Sequence, residues 1–225
     1  VYYFKSYFKV TQMNEKINYS VPTGNFGDIY AGYVSKKMGL PINKLVIATN
    51  KNDILKRVVN TGYYKPSEVM HTVSPSMDIQ VASNFERLIF DISSGSSERT
   101  IKLMKDLNEL GEFKIEKSEL KKIKDNFIAE SLSEEETKSI ISETYKNHKI
   151  LIDPHTAIGV GVIEKISLEG NTVVLSTAHP SKFSDVVMEA SSVKAELPEN
   201  LKNILVGKEN YDKLPKDLEK VKNYI

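Results

Sequence analysis

The sequence predicts an α/β protein in three layers: a mainly parallel sheet with helices on both faces. Short apolar runs alternate with amphipathic stretches from Ile17 onward. Strand–helix–strand–helix order implies parallel pairing through right-handed crossovers. The run KLVIATN (44–50) is almost continuously apolar, as in strands covered on both faces.

The elements follow in order. The opening VYYFKSYFKV places Tyr3, Phe4, Tyr7 and Phe8 at helical spacing, which predicts a helix with one aromatic stripe. A bare apolar helix without an initiator Met reads as a start in the middle of a longer chain. INYSVP (17–22) is a first strand, less purely apolar than KLVIATN. A helix over 28–38 stops at Gly39, and NDILKRVVNTG is a helix closed by Gly62. Residues 63–82, with Pro66 and Pro75, read as irregular. SNFERLIFDIS is a helix capped by Ser83 or Asn84, with Phe85, Leu88, Ile89 and Ile92 on one face.

After the loop SSGSSE, the segment 98–148 is rich in Lys and Glu and reads as peripheral helices with solvated charge. One carries a stripe of Ile101, Met104, Leu107 and Leu110. Another opens with a capping box, Ser133 and Glu136, and runs through Tyr145. KILIDPHTAIGVGVIEKI then reads as a brief strand, a turn at Pro154 and a small-residue helix. NTVVLSTAHPSKF holds the clearest strand, 172–177, followed by a turn and a helix through Met188. The end of the chain, with Pro198 and Pro215, reads as short surface helices and a loose tail.

Composition narrows the function. With 225 residues, one substantial core is feasible. The 31 basic and 30 acidic residues nearly cancel, so nothing favours a nucleic acid or a membrane surface as partner. There is no cysteine, which removes disulfides, a thiolate nucleophile and thiolate zinc sites. A cytoplasmic setting fits that composition.

The chemistry centres on SVPTGNFGDIYAGY, where a strand passes through a glycine turn into a helix. In a parallel sheet, ligands bind beyond the carboxyl ends of the strands. Gly24 and Gly27 permit a sharp turn and a close approach of ligand to backbone. The free N–H groups and positive dipole end of the next helix favour an anion. No G-K-[ST] or G-x-G-x-x-G is present, so neither nucleotide fingerprint applies. Asp28 would repel a phosphate it faced, so its carboxylate is expected to cap the helix or turn aside. From this loop alone, a turn that holds nothing stays open. Two further turns shift the balance: STAHP brings Ser176, Thr177 and His179 to the same rim, and DPHTA follows another strand candidate. Three polar turns on one rim favour a binding site.

Taken jointly, VPTGNFGDIYAGYVSKKMGLP, ATNKNDIL, SPSMDIQVASNFERL, DPHTAIGVG and STAHPSKF resemble the C-terminal half of the threonine synthase family. These are pyridoxal-phosphate enzymes of fold type II, the tryptophan-synthase-β-like fold. The likeness covers Ile17 to about Phe183. It implies that residues 1–225 are the C-terminal part of a cofactor-binding catalytic domain, with 93–148 a charged helical insertion. It implies pyridoxal 5'-phosphate as cofactor and conversion of O-phospho-L-homoserine and water into L-threonine and phosphate. By the same resemblance, Gly24, Asn25, Phe26, Gly27 and Asp28 hold the cofactor phosphate, and Thr177 bonds the pyridine nitrogen. Asp153, His155, Thr156, Ser176 and His179 are rim or supporting candidates, and no metal is implied.

The family's cofactor-bearing lysine belongs to an N-terminal segment without a match here. Lys182 matches a structural position. This stretch alone is therefore expected to be inactive, with the N-terminal part of the same protein as its partner and an open sheet edge between them. A monomer or homodimer is expected. Two rivals remain: another fold type II lyase such as a threonine or serine dehydratase, and a non-catalytic remnant that binds phosphate ligands.

Overall fold

The computed structural model describes residues 1–225 except Met13 and Val206. Two units are distinguished, 1–195 and 196–225. The first runs through α1 (Tyr2–Val10), β1 (Ile17–Pro22), α2 (Gly27–Lys37), β2 (Ile42–Thr49), α3 (Ile54–Thr61) and β3 (Tyr63–Tyr64). It continues with α4 (Phe85–Ile92), α5 (Ser97–Leu110), β4 (Phe113–Lys114), α6 (Lys117–Asn126) and β5 (Phe127–Ser131). Then come α7 (Glu134–His148), α8 (Pro154–Lys165), β6 (Thr172–Val174) and α9 (Ser184–Ser191). The second unit holds a 3-10 turn, Glu199–Leu205, and α10 (Leu218–Tyr224).

Four strands form one parallel sheet in the order β5–β2–β1–β6, and β3 with β4 makes a separate antiparallel ribbon. The continuous apolar run of β2 is explained by its two faces. Leu45 and Ile47 join a cluster with residues of α1 to α6, whereas Val46 and Ala48 join one with α7 and α8. All four are fully buried. Each large side chain buried this way stabilises by about 1.5–3 kcal/mol. β1 is less apolar because its second face is polar and satisfied. Ser20 Oγ donates to the Gly159 carbonyl at 2.7 Å, and Asn18 Nδ2 donates to the Glu169 carbonyl at 2.9 Å.

The capping box at Ser133 and Glu136 is present, and Gly39 and Gly62 adopt positive φ just past their helices. Several expectations are corrected. On α1, Tyr3 and Tyr7 are buried, but Phe8 is exposed. On α5, Thr100 and Leu103 are buried with Met104 and Leu107 packed beside them, while Ile101 and Leu110 face solvent. A stripe chosen by hydrophobicity alone missed that Thr100 turns inward, its hydroxyl bonded to the Ser96 carbonyl at 2.9 Å. Within the charged segment 93–148, β5 is a true edge strand of the main sheet, and β4 adds a short pairing. Residues 149–152 form no strand: Lys149 and Ile150 are exposed, and Ile152 packs against the cluster of α7 and α8, a use that periodicity does not distinguish from pairing. β6 spans only Thr172–Val174 and is half-buried.

Candidate functional site

β1 delivers the glycine turn to the carboxyl edge of the sheet. Thr23 N still donates to the Ala48 carbonyl at 2.8 Å, and the chain then turns. Asn25 Oδ1 accepts from Gly27 N at 2.9 Å, closing the turn on itself. Asn84 pins it from outside, its backbone N and its Nδ2 each donating to the Asn25 carbonyl at 3.1 Å. Phe26 has φ +69°, in the left-handed region that non-glycine residues rarely adopt. Burial of its ring offsets that strain: the ring is fully enclosed, edge-on to Phe85 at 5.2 Å between centroids. Phe26 thus offers a ligand its backbone alone.

Gly24 also has a packing reason to lack a side chain. A Cβ there would lie 2.8 Å from the Ser76 carbonyl and 3.1 Å from Met77 Cα, so this glycine admits the 74–79 turn. The amides of Asp28 and Ile29, in the first turn of α2, precede any intrahelical acceptor and stay available as donors. The Asp28 carboxylate does turn aside: Tyr3 donates to its Oδ1 at 3.1 Å and to its carbonyl at 2.9 Å. Burial raises the Asp28 carboxyl above its ordinary value, and the Tyr3 hydroxyl offsets part of that rise.

Leu175 N donates to the Ser20 carbonyl at 3.0 Å as β6 ends, and Ser176 and Thr177 follow, exposed. A cleft of about 740 Å³ is lined by Asp28, by Tyr2, Lys5, Ser6 and Lys9 of α1, and by 173–177. Asp28, Ser176 and Thr177 are therefore brought together. His179 is used elsewhere, its Nδ1 accepting from Ser181 N at 3.2 Å to cap the 3-10 turn Pro180–Phe183.

Asp153, His155 and Thr156 form one buried group at the start of α8. Asp153 caps the helix, accepting from His155 N and lying 2.9 Å from His155 Nδ1. The Thr156 hydroxyl donates to the second carboxylate oxygen of Asp153 and lies 3.4 Å from Ser176 Oγ. Burial alone would raise the Asp153 carboxyl; the bonds from His155 and Thr156 outweigh it and hold the group below its ordinary value. His155 Nε2 is buried with no partner among the described residues, its ring 4.8 Å from that of Phe183.

Two features escaped the sequence reading. Lys5 and Lys9 line the cleft; their i, i+4 spacing on the aromatic helix was the available signal. Asp78 gathers Asn50 Nδ2 (2.9 Å), Asn52 Nδ2 (3.1 Å), Thr72 N (2.9 Å) and Thr72 Oγ1 (2.7 Å), fastening the 72–80 loop to the end of β2. The polar ending of ATNKND pointed there. Among the described residues, no group of three or more His, Cys, Asp or Glu could hold a metal ion, and no helix is long and apolar enough to cross a membrane.

Comparison with known proteins places this geometry. Residues 156–225 match the family model "Threonine synthase, C-terminal". Threonine synthase of Pseudomonas aeruginosa is 38% identical over 228 residues, covering 100% of this chain and 49% of the relative. That of Saccharomyces cerevisiae is 41% identical over 256 residues, covering 100% and 49%. The crystal structure of PLP-bound threonine synthase from Brucella melitensis superposes with a TM-score of 0.92 at 43% identity, covering 99% of this chain and 48% of that one. The chain thus spans about half the length of the relatives it matches. With a family model over residues 156–225, identities near two in five along the whole chain and a shared fold, this chain is similar throughout to about half of a threonine synthase.

Proposed function

We propose that a protein of the relatives' full length built on this chain converts O-phospho-L-homoserine and water into L-threonine and phosphate, using pyridoxal phosphate. The observation that carries the reading is the shared cleft: Asp28 of the first turn of α2 and Thr177 beyond β6 line the same space. The residues fit the cofactor. Free amides at the start of α2 suit its phosphate, and the one nearby carboxylate is engaged by Tyr3.

When bound, pyridoxal phosphate supplies an electron sink for chemistry at the substrate carbons. This chain's part is positioning. Gly24, Asn25, Gly27 and the amides of Phe26 and Asp28 bind the phosphate, and Thr177 Oγ1 donates to the pyridine nitrogen. A hydroxyl at that place keeps its own proton, leaving the ring nitrogen largely unprotonated, as an Asp would not. The lysine that carries the cofactor lies outside the positions matched here, in the relatives' remaining length. A cytoplasmic setting and a monomer or homodimer complete the proposal.

The test is Thr177→Val in the protein expressed from its complete reading frame. Turnover is expected to fall about tenfold or more, the worth of one hydrogen bond, with little change in melting temperature. Unchanged kinetics would remove Thr177 from the site.

A further inference from the structure

Two strands reach the cleft: β1 leads through the glycine turn to Asp28, and β6 leads past Val174 to Ser176 and Thr177. One helix touches both strands at once. A Cβ on Gly159 of α8 would lie 2.8 Å from Val174 Cγ1 and 3.3 Å from Pro22 Cγ. The first distance is one real Cβ atoms essentially never show, and the second demands that a neighbour give way. The Gly159 carbonyl is itself held, accepting from Ser20 Oγ at 2.7 Å. Ser20 lies opposite Val174 in the sheet register, so one level of β1, β6 and α8 is locked together beneath the cleft.

We propose that Gly159 is a positioning residue for the cofactor site: its missing side chain sets how far Thr177 stands from the glycine turn. This rests on the cofactor reading above. A methyl at 159 cannot move α8 away without breaking the bond from Ser20. β6 is short, three residues that pair with β1 alone among the described residues, so it is the part that yields. Val174 shifts, and the 176–177 turn shifts with it.

Gly161 supplies the control. A Cβ there would meet Leu132 Cδ1 at 2.5 Å and Ile140 Cγ1 at 2.8 Å, a clash just as severe but against α7 and the end of β5, away from the cleft. A general packing defect would make the two alanine variants behave alike.

The experiment measures pyridoxal phosphate affinity, by the cofactor's visible absorbance, together with melting temperature. It uses the protein expressed from its complete reading frame as wild type, Gly159→Ala, Gly161→Ala, and Gly159→Ala with Val174→Ala. Gly159→Ala is expected to weaken cofactor binding at least about tenfold, the scale on which small displacements act in such sites. Val174→Ala, which removes the struck methyl, is expected to restore most of it. Gly161→Ala is expected to lower the melting temperature with affinity near that of wild type. A loss below tenfold, no restoration, or an equal loss in Gly161→Ala overturns the proposal. Should Gly159→Ala fail to fold, Val174→Ile presses on Gly159 from the strand side and carries the same criteria. A wild type that takes up no cofactor refutes the underlying reading, and the proposal falls with it.

Discussion

At the scale of single residues, Asp153 has the clearest consequence. Its motif was legible as a polar turn after an apolar run, and it was expected on the rim. Its burial beneath His155 and Thr156 was not legible, because sequence does not say which side of a helix cap the chain will cover. Since its folded-state value lies below the ordinary one near 3.9, it binds its proton later in the folded chain than in the unfolded one as pH falls. The stability it contributes is therefore present above the unfolded value and lost as pH falls through the folded one. Asp153→Asn is expected to cost about 1–3 kcal/mol at neutral pH and to flatten the acid limb of the stability profile. Denaturant melts at neutral and acid pH check both. Phe26 shows the opposite limit: the motif placed it at the cofactor, yet its ring belongs to the core. Phe26→Ala is expected to destabilise by about 3–5 kcal/mol, read as a lower denaturation midpoint.

At the scale of elements, alternation of strand and helix was readable through α4 because each stretch carried one clear period and a glycine or cap at its end. Legibility failed where burial was partial. β6 reads as the clearest strand, over 172–177, yet it spans only Thr172–Val174 and pairs with β1 alone among the described residues. Residues 149–152 read as a brief strand and form none. Residues 63–82 were read as irregular, yet they hold β3 and a 3-10 turn, Pro75–Met77, and nothing in their pattern announced the Asp78 hub, whose side-chain partners Asn50 and Asn52 lie more than twenty residues away. Asp78→Ala removes one acceptor from each of those amides, which keep Thr72, Ser74 and the Met70 carbonyl, and takes the acceptor from Thr72 N, at an expected cost of about 1–3 kcal/mol. Because Gly24 packs against Ser76 and Met77, the same change is expected to speed amide exchange in residues 24–29. Protection unchanged in that turn would separate the hub from the cradle.

At the scale of the whole molecule, the three-layer reading holds because β2 alternates its buried side chains between two helix layers. The charged segment was read as an insertion at the periphery, but it donates the edge strand β5. Its Lys and Glu residues masked a short apolar run, FIA, that the sheet uses. The joint placement of Asp28, which follows the glycine turn, and of Ser176 and Thr177 on one cleft supports the proposed activity more directly than any single motif does. The measurement that bears on it most directly supplies the protein from its complete reading frame with pyridoxal phosphate and O-phospho-L-homoserine, and follows threonine and inorganic phosphate together. Release of the two in equal amounts, dependent on the cofactor, is expected; a 2-oxo acid with ammonia in place of threonine, or no phosphate released, would contradict it.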